Sequence, residues 1–298
     1  MAYVDDEIAS QPDRWRRAVR VAAGSAAALP SPGERVAVVG CGTSWFMAMA
    51  YAARREHAGQ GETDAFQASE FPVARAYDRV LAISRSGTTT EVLDLLAAIR
   101  GRPGTAIVAD PTSPAATAAD HAVALPFADE RSVVQTRFAT SVLALLRAHL
   151  GEDLSEAVAD AEVAVRAPLP VDPARVDQVT FVGRGWTVGL AHEAALKCRE
   201  AAALWTEAYP AMDYRHGPIA IAGPGRAVWA FGEVPAGLAD EVERTGAAFV
   251  TGRSHRDGRP LDPMADLILA QRFAVAAAAG RGLDPDAPRH LTRSVVLR

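Results

Sequence analysis

The chain has 298 residues, of which 49% are hydrophobic and 22% charged, enough for two ordinary globular domains and too apolar for a disordered polymer. Its formal net charge of -5 gives no basic field for nucleic acid or anionic lipid, and no eighteen-residue apolar window runs free of charge, so neither nucleic acid nor membrane is expected as a partner. Two cysteines, Cys41 and Cys198, exclude a disulfide framework, and no Cys/His cluster has metal-ligand spacing, so no metal is expected.

The N-terminus, MAYVDDEIASQPDRWRR, is acidic and polar where a signal peptide is basic and then apolar, so a cytoplasmic protein is expected. Arg35 to Glu56, RVAVVGCGTSWFMAMAYAARRE, runs from an apolar strand through a G-x-G turn into a helix. Val80 to Arg100, VLAISRSGTTTEVLDLLAAIR, repeats the order with five hydroxyl residues around one glycine at the turn. Ser84, Ser86, Thr88, Thr89 and Thr90 offer hydroxyl donors, Gly87 allows a tight turn, and the N–H groups of the next helix add positive potential, a combination suited to a phosphate. Thr88 and Glu91 also have capping-box spacing, which accounts for one of these hydroxyls without the others. A further strand, TAIVAD, follows, and Gln135 to Arg166 reads as mostly helical.

Ala167 to Arg175, APLPVDPAR, carries three prolines and serves as the linker. Beyond it, QVTFVGRGWTVGLAHEAALKCRE (Gln178 to Glu200) repeats the strand, G-x-G turn and helix of the first half, which suggests an internal duplication. AVWAFG, the helical GLADEVERTG and AAFVTG continue the alternation. Continuously apolar strands alternating with helices predict an α/β fold: two tandem domains, residues 1–166 and 167–298, each an open parallel sheet flanked by helices in three αβα layers of flavodoxin or Rossmann type. Neither G-x-G turn completes a dinucleotide fingerprint, since Trp45 stands where a third glycine belongs and GRGWTVG is off-pattern, so no cofactor is expected.

In the helix from Ala191, Glu193, Lys197 and Glu200 fall at i, i+4 and i+7 and share one face. An ordinary exposed Glu/Lys pair there contributes only about 0.2–0.5 kcal/mol. Because this helix starts at the ligand edge of a parallel sheet, a second reading is open. Shifting a proton between adjacent carbons of an open-chain sugar needs a carboxylate base, for which Glu200 is placed, with Lys197 as its electrostatic partner and His216 as an acid to open the ring.

Six segments taken together, GCGTS (Gly40 to Ser44), ASEF (Ala68 to Phe71), ISRSGTTTE (Ile83 to Glu91), EAALKCRE with TEAY (Glu193 to Tyr209), RHGPIA (Arg215 to Ala220) and PRHLTRSVV (Pro288 to Val296), resemble the sugar isomerase (SIS) superfamily. The resemblance is to the isomerase halves of glutamine-fructose-6-phosphate aminotransferases and to stand-alone amino-sugar-phosphate deaminases and deglycases. It implies that Thr43, Ser44, Ser84, Arg85, Ser86 and Thr89 hold the sugar and its phosphate. By the same resemblance, Glu200 moves the proton between C1 and C2 with Lys197 and Glu193 beside it, and His216 opens the ring across a homodimer interface. Arg293 stands where the aminotransferases carry a Schiff-base lysine, and a guanidinium forms no such imine. Arg85 replaces a glutamine and is suited to bidentate phosphate binding.

No glutaminase segment precedes the first sheet, so ammonia transfer from glutamine is not expected. The expected activity is isomerisation or deamination of an amino-sugar or hexose 6-phosphate. The alternatives are a fructosamine-6-phosphate deglycase and a phosphosugar sensor without turnover.

Overall fold

The computed structural model describes residues 2–251 and 259–297. Five strands, Val36–Gly40 (β1), Thr63–Gln67 (β2), Arg79–Ser84 (β3), Gly104–Val108 (β4) and His121–Ala124 (β5), form one sheet in the order β2-β1-β3-β4-β5, with every pairing parallel. Four more, Gln178–Gly183 (β6), Trp205–Pro210 (β7), Arg226–Phe231 (β8) and Ala248–Thr251 (β9), form a second in the order β7-β6-β8-β9, also parallel throughout. The two orders match strand for strand over the four strands that the second sheet has among the described residues, as the repeated sequence pattern predicts. The expected segments VLAIS, TAIVAD, AVWAFG and GLADEVERTG fall on β3, β4, β8 and the helix Leu238–Glu243. AAFVTG gives β9, and its last residue, Gly252, lies outside the described residues.

The helices are Tyr3–Ala9 (α1), Gln11–Gly24 (α2), Thr43–His57 (α3), Thr90–Ala98 (α4), Pro114–Ala118 (α5), Arg137–His149 (α6), Ser155–Ala164 (α7), Thr187–Ala202 (α8), Leu238–Glu243 (α9) and Pro263–Gly280 (α10). Successive strand residues point to opposite faces of a sheet. In the first sheet Ala37, Val39, Val80, Ala82, Ala106 and Val108 form one face and pack with Val92, Leu95, Leu96 and Ile99 of α4 and its end. Val38, Leu81, Ile83 and Ile107, on the other face, are buried as well, so both faces are covered. In the second sheet Val182, Val228 and Ala230 pack with Leu238 and Val242 of α9. The central strands read as apolar throughout because both of their faces are interior. The edge strands β2 and β7 mix polar residues and so carry no such signal.

The chain divides into two compact units, one around each sheet, but a single cut after residue 166 does not describe their membership. One unit comprises Met1–Pro12, Ser132–Val134 and Ser155–Leu291; the other comprises Asp13–Arg131, Gln135–Leu154 and Thr292–Arg298. The first helix belongs with the second sheet because Asp286 accepts hydrogen bonds from the Tyr3 and Val4 N–H groups at 2.6 and 2.9 Å, satisfying the free N-terminus of α1. Gln11 reaches Gln271 of α10 in the same unit at 2.7 Å. No helix among the described residues is long and apolar enough to cross a membrane.

Candidate functional site

In the first sheet the strand order reverses between β1 and β3, and ligands of doubly wound sheets bind at that edge. The loops after these two strands carry the predicted phosphate residues. Thr43 and Ser44 begin α3, directly after the Gly40–Gly42 turn, and both are buried. Ser84 ends β3 and its hydroxyl accepts the Gly87 N–H at 3.1 Å, while Ser86 accepts the Thr88 N–H at 3.2 Å, so the loop closes on its own hydroxyls. Gly87 has φ 62°, and a Cβ there would stand 2.2 Å from the Ser113 hydroxyl, so position 87 has both a conformational and a steric reason to be glycine. Ser44, Ser84, Arg85, Ser86, Thr89 and Arg293 share the lining of one polar recess of about 30 Å³. The structure therefore brings together five of the six expected sugar-binding residues with Arg293, while Thr43 lies outside that lining.

The helix after this loop is not capped by Thr88. Its N-cap is Thr89, no side chain caps it, and the Thr90 N–H donates instead to the Val295 carbonyl at 3.1 Å. The C-terminal tail thus lies along the loop. Ser86 and Thr88 both donate to the Ser294 hydroxyl, at 3.1 and 3.0 Å, and Thr89 Oγ1 lies 3.4 Å from it. One hydroxyl oxygen therefore accepts from the donors that the sequence assigns to a phosphate.

Arg85 is fully buried. Its guanidinium lies 3.8 Å from Glu130 Oε2 and donates to the Arg293 carbonyl at 3.1 Å, so protein groups occupy part of the fork expected to face phosphate. Arg293 itself hydrogen-bonds the Glu130 carbonyl and the Asp129 carboxylate. Glu130, which sequence reasoning did not select, is the hub of this cluster. Its Oε1 also accepts from the Thr136 and Arg137 N–H groups at 2.6 and 2.8 Å, fixing the start of α6 and bringing Gln135 to the recess. Burial, helped by the nearby Glu91 carboxylate, pushes the Cys41 thiol up to about 11, so this cysteine is no nucleophile at neutral pH.

In the other unit α8 carries the expected acid/base group. Gly183 ends β6, and the Thr187 hydroxyl accepts the Arg184 N–H at 2.8 Å and donates to the Phe231 carbonyl at 2.9 Å, which anchors the helix start at the sheet edge. Leu190, Ala191, Ala194, Ala195, Cys198 and Ala202 are buried, and α8 packs on α10 and on its own sheet. The charged face is not an exposed Glu/Lys stripe. Glu193 is 0% and Lys197 1% exposed, and the Lys197 ammonium lies 3.5 Å from Glu193 and 2.5 Å from Glu200. The Glu200 side chain, 20% exposed, is the member of the group that reaches an open space. It lines a cavity of about 660 Å³ with Arg199, Ala203, Asp284, Arg289 and His290. His216 ends a short 3-10 helix, Asp213–His216, is solvent-exposed, and is not among the residues lining that cavity. Its neighbour Arg215 is fixed to Glu241 at 2.7 and 3.0 Å.

The model of the SIS domain family matches residues 31–150, the segment that contains β1, β3 and the hydroxyl loop. The chain is 29% identical to glutamine–fructose-6-phosphate aminotransferase [isomerizing] of Zymomonas mobilis, covering 91% of this chain and 54% of that protein. It is 27% identical to the enzyme of the same name from Sulfolobus acidocaldarius, covering 88% and 50%. The chain thus spans about half the length of these curated relatives. Among solved structures it is similar to a glucosamine-6-phosphate deaminase of Thermotoga maritima, with TM-score 0.79 and 26% identity over 99% of this chain and 100% of the other. It also shares the fold of the C-terminal domain of glucosamine-fructose-6-phosphate aminotransferase from Francisella tularensis, with TM-score 0.82 and 21% identity over 96% and 98%. The SIS match thus lies on the segment that builds the hydroxyl loop, and the relatives to which the chain is similar align along nearly its whole length.

Proposed function

We propose that the protein is an enzyme that interconverts aldose and ketose forms of a hexose 6-phosphate or amino-sugar 6-phosphate, with release of the amine where the substrate carries one. The observation that carries this reading is Glu200, a carboxylate opening on a cavity while a buried lysine holds it at 2.5 Å. A structural ion pair has no need of an open face, whereas a base that moves a carbon-bound proton must meet its substrate.

Ser84, Ser86 and Thr89 anchor the phosphoryl group, with Ser44 beside them in the same recess. The partner's His216 opens the ring. Glu200 then takes the proton from C2 and returns it to C1. Lys197 keeps the carboxylate oriented and offers positive charge to the enediol oxygens. Arg293 supports isomerisation and hydrolytic loss of amine over amino transfer, because its guanidinium is committed to Asp129 and the Glu130 carbonyl and forms no imine with a ketose.

The test follows deuterium entering C2 of glucosamine 6-phosphate and C1 of fructose 6-phosphate in D2O, alongside released ammonia. Glu200→Gln is expected to slow exchange by about 10²–10⁴-fold while phosphosugar binding persists. Undiminished exchange in that variant removes Glu200 as the base. Binding without exchange or turnover in the unaltered protein establishes the sensor in place of the enzyme.

A further inference from the structure

The cavity that receives Glu200 holds a second proton-carrying side chain that the reading above leaves unused. Arg199, Glu200, Asp284, Arg289 and His290 are its charged or titratable lining residues, and His290 is the histidine among them. The backbone at this position is in a region that L-residues avoid. Among the described residues two non-glycines have positive φ, Ala203 at 50° and His290 at 62°, and both line this cavity. Ala203 has a local cause, since it ends α8, with its N–H returning to the Arg199 carbonyl at 3.1 Å. His290 holds the third position of a turn in which the Leu291 N–H returns to the Pro288 carbonyl at 3.5 Å, and this turn sets the ring at the cavity wall beside Glu200.

Aldose–ketose interconversion moves two protons. Besides the carbon-bound proton carried by Glu200, one must reach O1 as the enediol forms and another must leave the heteroatom on C2 as the new C2 double bond forms. A carboxylate busy at carbon does not serve both sites at once. We infer that His290 is the second proton carrier of the Glu200 cavity, acting on the substrate's heteroatoms, an inference that rests on the isomerase reading given above. In the forward direction the imidazolium gives its proton to O1 as Glu200 removes the C2 proton. The neutral ring then takes the proton from the C2 heteroatom as C2 becomes doubly bonded and Glu200 delivers its proton to C1. Both side chains end in their starting states, and no other reactant is consumed.

The test uses His290→Gly and His290→Asn in the full chain, because glycine adopts positive φ freely and asparagine tolerates it better than other side chains. Isomerisation is followed as deuterium entry at C1 of fructose 6-phosphate and at C2 of the aldose formed from it. A loss of about 10²-fold in kcat for His290→Gly, with at least a tenfold recovery on adding free imidazole, is expected of a proton carrier. A purely positional role gives no such rescue. Activity of either variant within about threefold of the unaltered protein, or a loss in His290→Gly that imidazole leaves untouched, overturns the assignment. If the glycine variant does not fold, full activity of His290→Asn overturns the proposal and a hundredfold loss at unchanged KM supports it. Absence of exchange in the unaltered protein is a separate result, which removes the isomerase reading itself.

Discussion

Asp266 shows how far a single side chain can depart from what its letter suggests. It lies in the first turn of α10 and reads as a favourable helix-start acid. In the fold it is fully buried, accepts one hydrogen bond from Trp229 Nε1 at 3.3 Å, and burial pushes its carboxyl up to about 7 from 3.8. The native acid therefore keeps its proton to near neutrality, while the unfolded chain releases it near pH 4. Between these values the unfolded state binds fewer protons, so this group's contribution to stability falls as pH rises from about 4 to about 7. Asp266→Asn keeps an acceptor for Trp229 and is expected to flatten that decline, read as urea midpoints across the same pH range. An unchanged slope in the variant assigns the pH dependence to other groups. At this scale the hydroxyl loop and the Glu193–Lys197–Glu200 face were legible in the sequence because their members are neighbours along the chain. Glu130, Ser294 and His290 were not. Ser294 meets Ser86 at a separation of 208 residues and Glu130 lies beside Arg85 and Arg293, and no local pattern encodes such pairs.

The elements themselves were more readable than their contacts. Central strands show as apolar runs and their helices as the segments between, whereas the edge strands β2 and β7 escape because half-exposed, mixed sequences look like loops. Strand-to-helix turns are the points where element geometry reaches the chemistry. A Cβ at Gly183 would lie 2.4 Å from the Thr187 carbonyl oxygen, a backbone atom in the first turn of α8. Gly183→Ala must push that helix start off its strand, and an overpacked junction of this kind is destabilised by about 1–3 kcal/mol. The expected outcome is a lower melting temperature with lost deuterium exchange, since Glu200 rides on the displaced helix, while phosphosugar affinity at the hydroxyl loop of the other unit stays nearly constant. Gly185→Ala is the companion measurement. Nothing stands within 4 Å of a Cβ there, so it reports backbone strain at φ 57° alone and is expected to be milder.

For the whole molecule, the sequence suggested two sheets and a duplication, and both sheets wind in the same strand order. It did not reveal that the terminal segments change sides. Residues through Pro12 belong with the second sheet and those after Leu291 with the first, because each terminal segment is held by residues far away in sequence. The proposed division of labour between copies is open to a complementation assay. Co-expressed inactive His216→Ala and Glu200→Gln subunits are expected to regain about a quarter of the native rate averaged over all dimers, as one of the two sites in a mixed pair draws both intact groups and about half of the dimers are mixed. No recovery at all in verified heterodimers would count against sharing.

The Ser294 hydroxyl gives the phosphate binding proposed for the loop a particular thermodynamic form. A neutral oxygen already satisfies the Ser86 and Thr88 donors, so an arriving phosphoryl oxygen enters by exchange and not by simple addition. Its gain is the surplus of charge-assisted over neutral hydrogen bonds, less the anchoring that the displaced tail gives up. On the proposed phosphate role of this loop, the exchange favours anions, because a sugar bearing only another hydroxyl at that position would swap like for like and have nothing to offset the loss.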